Sequence, residues 1–264
     1  MLTISQTLSN IKSKCALIPF VTAGYPSFDA TIEVLHVLDK KGANIIELGV
    51  PYSDALADGY VIQESSRLAL RQKVYLSQVM DIIKQVSPIL KSPIVVFTYY
   101  NPILSKGIDK FIRDISLSGA KGLIIPDLPL EEADYLIQIC TSHNIELILF
   151  ISPASSDSRI ESILAKSPGC VYLVSSYGVT GIRSNVELKL QFLIDKIKKK
   201  SDKFVMLGFG ISSEEQIIRI SGWNVDGIVI GSAFINAITQ CERVKSYQPL
   251  EMFCQKVKTA IEEA

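Results

Sequence analysis

The sequence predicts an α/β fold in which eight parallel strands, each followed by a helix, close into a (β/α)8 barrel of the TIM type. Three observations carry this. Eight short apolar runs of strand length lie near residues 17–22, 44–50, 94–99, 122–126, 146–151, 170–175, 204–208 and 227–231, with helically spaced apolar residues between them. Each run is apolar nearly throughout instead of alternating, as strands covered on both faces are. The chain has 264 residues, about the length that eight such units need. A doubly wound open sheet is the alternative, but it normally has fewer strands and a Gly-rich turn after the first, and Thr22-Ala23-Gly24 is no such turn. With no Gly/Ser linker and no low-complexity tract, residues 1–264 read as a single domain.

Each element has its own local reason. Thr3-Ile4-Ser5-Gln6 fits a capping box, and Ile4, Leu8 and Ile11 share one helical face, which predicts an extra helix ahead of the first strand. Residues 29–41 carry Ile32, Leu35, Val37 and Leu38 in a helical pattern closed by Gly42. Further helices are expected at 61–71, 77–90, 108–118, 131–142, 157–166, 187–200, 213–220 and 249–262, with a short one at 232–239 after the eighth strand. Three strands are entered alike, through a Gly that closes a helix: Gly42, Gly119 and Gly222. Strand starts are uneven: 50 residues separate the second from the third and 34 the sixth from the seventh, against 23–28 elsewhere. Extra length after a barrel strand lies at the carboxyl end, where barrel active sites are built. Segments 51–76 and 176–187 are therefore lid candidates.

Composition narrows the function. Lys+Arg and Asp+Glu are 27 each, so the net charge is zero and nothing points to nucleic acid or a membrane surface. The run Lys196-Ile197-Lys198-Lys199-Lys200 reads as a solvated helix end. Cys15, Cys140, Cys170, Cys241 and Cys254 are scattered, odd in number and without metal or redox spacing, which suggests buried free thiols in a reducing compartment. No signal peptide and no apolar run of transmembrane length are visible, so a soluble cytoplasmic or plastid-stromal protein is expected. His36 and His143 fall within helical stretches, and no metal site is expected.

The chemistry concentrates after the second strand. Glu47 sits inside the apolar run 44–50, and Asp54 and Asp58 follow on a loop. Burying an unpaired carboxylate is costly, because desolvation penalises the charged form. One carboxylate on a strand and another returning over its end can do acid and base work on one ligand. The structural alternative is that Glu47 caps a helix or pairs with a lysine. Gly178 and Gly181, Gly208 and Gly210, and Gly231-Ser232 follow strands six, seven and eight. Glycines there let backbone N–H groups approach an anion, and barrels often hold phosphate after strands seven and eight. Phe20, Phe97, Tyr99, Asn101, Asp127, Tyr172 and Phe209 lie in or at the ends of strands, giving an aromatic mouth suited to a flat ligand that bears a phosphate, although Phe20, Phe97 and Phe209 are equally compatible with plain barrel core.

The motifs themselves are recognisable. Glu47-Leu48-Gly49-Val50-Pro51-Tyr52-Ser53-Asp54, Leu56-Ala57-Asp58-Gly59 and Ile62-Gln63 resemble the signature of the tryptophan synthase alpha chains. Pro19-Phe20-Val21-Thr22-Ala23-Gly24-Tyr25-Pro26, Tyr99-Tyr100-Asn101-Pro102, Pro126-Asp127-Leu128-Pro129, Gly178-Val179-Thr180-Gly181 and Gly208-Phe209-Gly210-Ile211 agree in order, so the resemblance spans essentially the whole chain. It implies a retro-aldol cleavage of indole-3-glycerol phosphate to indole and glyceraldehyde 3-phosphate, the indole passing to a beta chain that carries pyridoxal phosphate (PLP), in an alpha2-beta2 heterotetramer. No cofactor is implied for this chain. By motif, Glu47 resembles the acid–base carboxylate, Asp58 the group that holds the indole N–H, and Tyr172 a tyrosine near the substrate. Gly181, Gly210, Gly231 and Ser232 resemble the phosphate cradle, and Thr180 the lid residue that closes on Asp58. Ala55 stands where the family usually has Pro, and Tyr60 often has Pro as its counterpart, which bears on how the lid closes. A sugar-phosphate isomerase would need a base paired with a His or Lys at a strand end, and an idle scaffold would have lost Glu47 or Asp58; neither fits the residues present.

Overall fold

The computed structural model describes residues 3–174, 183–208, 210 and 214–264. Strands β1 (Ala16–Thr22), β2 (Ile46–Gly49), β3 (Ile94–Phe97), β4 (Gly122–Ile124), β5 (Glu146–Ile151), β6 (Cys170–Val174), β7 (Phe204–Gly208) and β8 (Gly227–Ile230) pair in sequence order, and β8 returns to β1 to close the barrel. Every pairing is parallel. Around it lie α1 (Ile4–Ser9), α2 (Phe28–Lys40), α3 (Tyr60–Arg71), α4 (Leu76–Val86), α5 (Tyr100–Lys106), α6 (Ile108–Ser118), α7 (Ala133–Ser142), α8 (Asp157–Lys166), α9 (Arg183–Lys200), α10 (Glu214–Ser221), α11 (Ser232–Val244) and α12 (Gln248–Glu263).

The strands are buried almost residue for residue, because the helices cover the outside and side chains fill the inside. Register places Phe20 of β1 beside Glu47 of β2, and Glu47 beside Val95 of β3, near the carboxyl ends of the strands. The opposite end is stoppered by α1. Its capping box is present as the sequence predicts, with Thr3 accepting from the Gln6 backbone and Gln6 reaching back to Thr3. Ile4 is fully buried against Gly122, where a Cβ would sit 2.9 Å from Ile4 Cγ1. The Ser5 N–H donates to the Glu146 carboxylate at 3.0 Å, and the Ser5 hydroxyl does so too. With α1 as floor, the barrel's mouth is the end where β2 delivers Glu47.

Several sequence expectations are corrected. The strand-like run 94–99 ends at Phe97, so Tyr99 and Asn101 do not end a strand: Tyr99 precedes α5 and Asn101 lies inside it. The reason is Pro102, which suits a helix's first turn, where its missing N–H has no intrahelical partner to lose. The helix after β8 is not short but runs 13 residues to Val244. The lysine run at the end of α9 is not merely solvated: Lys196 pairs with Asp157 at 2.5 Å, Lys198 with Asp226 and Lys200 with Glu161. These pairs join α9 to α8 and to the strand entry before β8. Of the second lid candidate, residues 176–182 lie outside the described residues. All five cysteines are free and buried, as expected. Among the described residues no helix is long and apolar enough to cross a membrane.

Candidate active site

Glu47 is 1% exposed, and among the described residues neither of its carboxylate oxygens has a hydrogen-bond partner. Buried polar side chains are nearly always paired, so an orphaned carboxyl at a barrel mouth asks for a functional explanation. Gly49, two residues on and therefore on the same face, has the Phe20 ring lying against it: a Cβ there would come within 2.5 Å of Phe20 Cζ. Burial pushes the Glu47 carboxyl up to about 8, and the charge of Asp58 adds to the rise. Near neutrality Glu47 therefore holds its proton.

Asp58 reaches the same space from the loop between β2 and α3. Tyr99 Oη donates to Asp58 Oδ2 at 3.0 Å and itself accepts from the Ala57 N–H at 3.0 Å. Burial raises the Asp58 carboxyl to about 6, against the hydrogen bond from Tyr99, which pulls it down. Asp58 is thus ionised at a pH where Glu47 is not.

Tyr172 completes the group from β6. It is 3% exposed, stacks at 4.8 Å on Phe150 of β5, and lies over Gly208 of β7. Burial, then the charges of Glu47 and of Asp58, push its hydroxyl well above the usual range, so it stays neutral. The same charges that Tyr172 responds to link it to both carboxyls across the barrel. A Cβ on Gly208 would lie 2.0 Å from Tyr172 Oη and 2.5 Å from Cζ. Gly208→Ala is therefore expected to displace the ring, lower stability by about 1–3 kcal/mol and reduce turnover; unchanged melting and unchanged turnover would show that the ring has room to yield.

Of the aromatics that the sequence places at the mouth, Phe20, Phe97 and Tyr99 are brought together. Phe20 meets Phe97 edge-on at 5.7 Å, Phe97 meets Tyr99 at 6.2 Å, and Tyr99 packs on Tyr52 at 5.1 Å. Gly231 and Ser232 come together at the start of α11, where Gly231 precedes the first helical residue and a Cβ on it would be 3.1 Å from Ile62 Cδ1 of α3. Gly210 follows β7 at φ +76°, in the left-handed region that favours glycine. Thr180, Gly181 and Phe209 lie outside the described residues. Asp127 is engaged in holding α5: its Oδ1 accepts from the Tyr100 N–H at 2.8 Å.

Residues 7–262 match the family model for the tryptophan synthase alpha chain. The chain belongs to the tryptophan synthase alpha chain family. It is 55% identical over 261 residues to the alpha chain of Gracilaria tenuistipitata var. liui, covering 99% of this chain and 97% of that one. It is 49% identical to that of Pyropia yezoensis, covering 99% of each. Its structure is similar to tryptophan synthase subunit alpha from Legionella pneumophila, with TM-score 0.90, 30% identity and full coverage of both chains. A chain of tryptophan synthase from M. tuberculosis is similar at TM-score 0.87 and 29% identity, covering 99% of this chain and 100% of that one. The reaction of the tryptophan synthase alpha chain, cleavage of indole-3-glycerol phosphate in tryptophan biosynthesis, is the reaction of this chain, and it works with a beta chain.

Seen as an alpha chain, the sequence reading missed two contributors. Phe150 is the mouth-facing residue of β5, legible from the alternation Glu146, Ile148, Phe150, but only once the strand's inner face is known. Gln63 stands in the sequence only as part of a motif, but in the fold its amide reaches back to the loop that carries Asp58.

Proposed function

We propose that Glu47 is the proton carrier of the cleavage and Asp58 the anion that holds the indole N–H. Indole leaves only after C3 is protonated. Glu47, protonated near neutrality, gives its proton to C3, and the positive charge that develops at the ring nitrogen is met by ionised Asp58. The Glu47 carboxylate then takes the proton of the glycerol hydroxyl next to C3. The oxygen's electrons form the aldehyde carbonyl as the carbon–carbon bond breaks, and the bond pair returns to the indole ring. Indole and glyceraldehyde 3-phosphate are released, and Glu47 is again protonated. Tyr172, whose hydroxyl feels the charges of both carboxyls, would donate to the substrate while remaining neutral. Phe20, Phe97, Tyr99 and Phe209 would enclose the indole ring, with Asp127 at the rim and Thr180 closing over Asp58. The observation that carries this reading is the contrast between two neighbouring carboxyls, one buried without a hydrogen-bond partner among the described residues and one held by Tyr99. Mixing the purified chain with indole-3-glycerol phosphate and following release of both products, with and without a beta chain, tests it directly.

The phosphate would sit on Gly181, Gly210, Gly231 and Ser232. The start of the 13-residue α11, which no side chain among the described residues caps and which presents a positive dipole end, supports this. Gly210→Asp, which places a like charge beside the phosphate, is expected to raise KM about tenfold or more. If a phosphate-free analogue such as indole loses affinity equally, the cradle is misplaced.

Residues 1–264 would act as a single domain that needs no cofactor of its own, with PLP in the beta-chain partner of an alpha2-beta2 heterotetramer. The rim beside the mouth supports such docking, since Leu56 and Tyr60 are 89% and 80% exposed there. The relatives include bacterial and algal plastid-encoded alpha chains, which fits the bacterial cytoplasm or the plastid stroma.

A further inference from the structure

We infer that Gln63 is a positioning residue for Asp58, and that its side-chain amide sets the shape of the loop from which Asp58 acts. The inference rests on the assignment of Asp58 above. Residues 55–58 form a turn closed by the Asp58 N–H donating to the Ala55 carbonyl at 3.1 Å. Gln63 Nε2 clasps the same turn from outside, donating to the Ala55 carbonyl at 3.0 Å and to the Asp58 carbonyl at 2.9 Å. A single amide thus holds both ends of the turn, and Asp58 is one of those ends. Tyr99 holds the middle and the carboxylate.

The clasp is anchored. Gln63 lies in the first turn of α3, and α3 is tied to the barrel wall by the Thr22 and Ser65 hydroxyls, 2.6 Å apart, with Ser65 also bonded to the Ile62 carbonyl at 2.7 Å. Both of those hydroxyls are buried. Ile62, the neighbour of Gln63, packs toward Gly231 at the head of α11. The backbone from Ala55 to Asp58 contains no proline to restrict it, so its shape depends on hydrogen bonds of this kind. Gln63 is exposed, and an exposed glutamine held only for solubility has no reason to direct its amide at two carbonyls of one turn. Loss of the donors would leave Asp58 attached to Tyr99 but free to swing with its backbone. An error of about 1 Å in a catalytic group costs up to about a hundredfold in rate.

The test is Gln63→Met, which keeps the length and removes the donors, assayed in the full chain at saturating beta chain so that weaker association is not the readout. The expected result is a fall in kcat of about ten- to a hundredfold, with KM changed less than about threefold and the melting temperature unchanged. Gln63→Glu, whose carboxylate would face two carbonyl oxygens, should fall at least as far. The decisive comparison is the same change in an Asp58→Asn background, where it should cost less than about twofold, since Gln63 acts through the charge that is already gone. Parental turnover in Gln63→Met, an equal loss in both backgrounds, or a loss confined to KM would each overturn the inference. If Asp58→Asn alone turns over like the parent, the assignment of Asp58 fails instead, and the two failures are told apart.

Discussion

Glu47→Gln is expected to fold and to lose cleavage by about a thousandfold or more. A positioned acid or base contributes roughly 10²–10⁴-fold per step, and in the proposed mechanism Glu47 would serve two steps in turn. Glutamine keeps the shape of the side chain but carries no transferable proton. The same substitution has a signature in stability. The Glu47 carboxyl, ordinarily near 4.5, is raised to about 8 in the folded chain, first by burial and then by Asp58. Below about 4.5 the group is protonated in both folded and unfolded chains and adds no pH-dependent cost. Between about 4.5 and about 8 the unfolded chain ionises while the folded chain does not, so the parent loses stability as pH rises. Above about 8 the cost is complete, on the order of a few kcal/mol. Glu47→Gln removes this dependence. Its melting temperature relative to the parent should climb from pH 5 to pH 8, whatever the fixed cost of burying an amide. Turnover near the parental rate would remove Glu47 from the chemistry, and a pH-independent melting difference would show that the carboxyl is not buried neutral.

Asp58→Asn is expected to cost about 10²–10³-fold in kcat, the scale of losing one preorganised electrostatic partner of the transition state. Asparagine can still accept from Tyr99, so the loop should stay in place while the charge that meets the ring nitrogen is lost. The pH profile separates this from a structural effect. In the parent, Asp58 must be ionised and Glu47 protonated, so activity should be bell-shaped, falling below about 6 and above about 8. These limbs belong to the coupled pair and not to either residue alone. In the variant the acid limb should vanish. The alkaline limb should move to lower pH, because the charge of Asp58 no longer raises Glu47. Measuring kcat/KM from about pH 5 to about pH 9 on both proteins decides it. Two limbs in the same places in the variant would mean that Asp58 is not one of the titrating groups.

Individual elements show why some of this was readable and some was not. Capping chemistry is local, so α1 was visible in Thr3 and Gln6. The short α5 was not, because an apolar strand running into Tyr99-Tyr100-Asn101-Pro102 has no pattern that says where the sheet ends. Asp127 illustrates a different gap. Its position after β4 is legible, but its bond to the Tyr100 N–H depends on where α5 begins.

The sequence by itself determined the barrel, the order of its strands and the location of Glu47 and Asp58 at one end of it. Apolar periodicity and strand count decide a closed parallel sheet, and that topology collects all strand ends at one mouth whatever the details of packing. Only the tertiary structure decided what those residues become. Tyr99 lies 41 positions from Asp58, and Gly208 36 positions beyond Tyr172; no local pattern pairs them. Closure brings them into contact, and a carboxyl's proton affinity follows from the desolvation and fields that closure creates. That is why Glu47 could be located from its neighbours in the chain, while its protonation, the hold on Asp58 and the clasp of Gln63 required the fold.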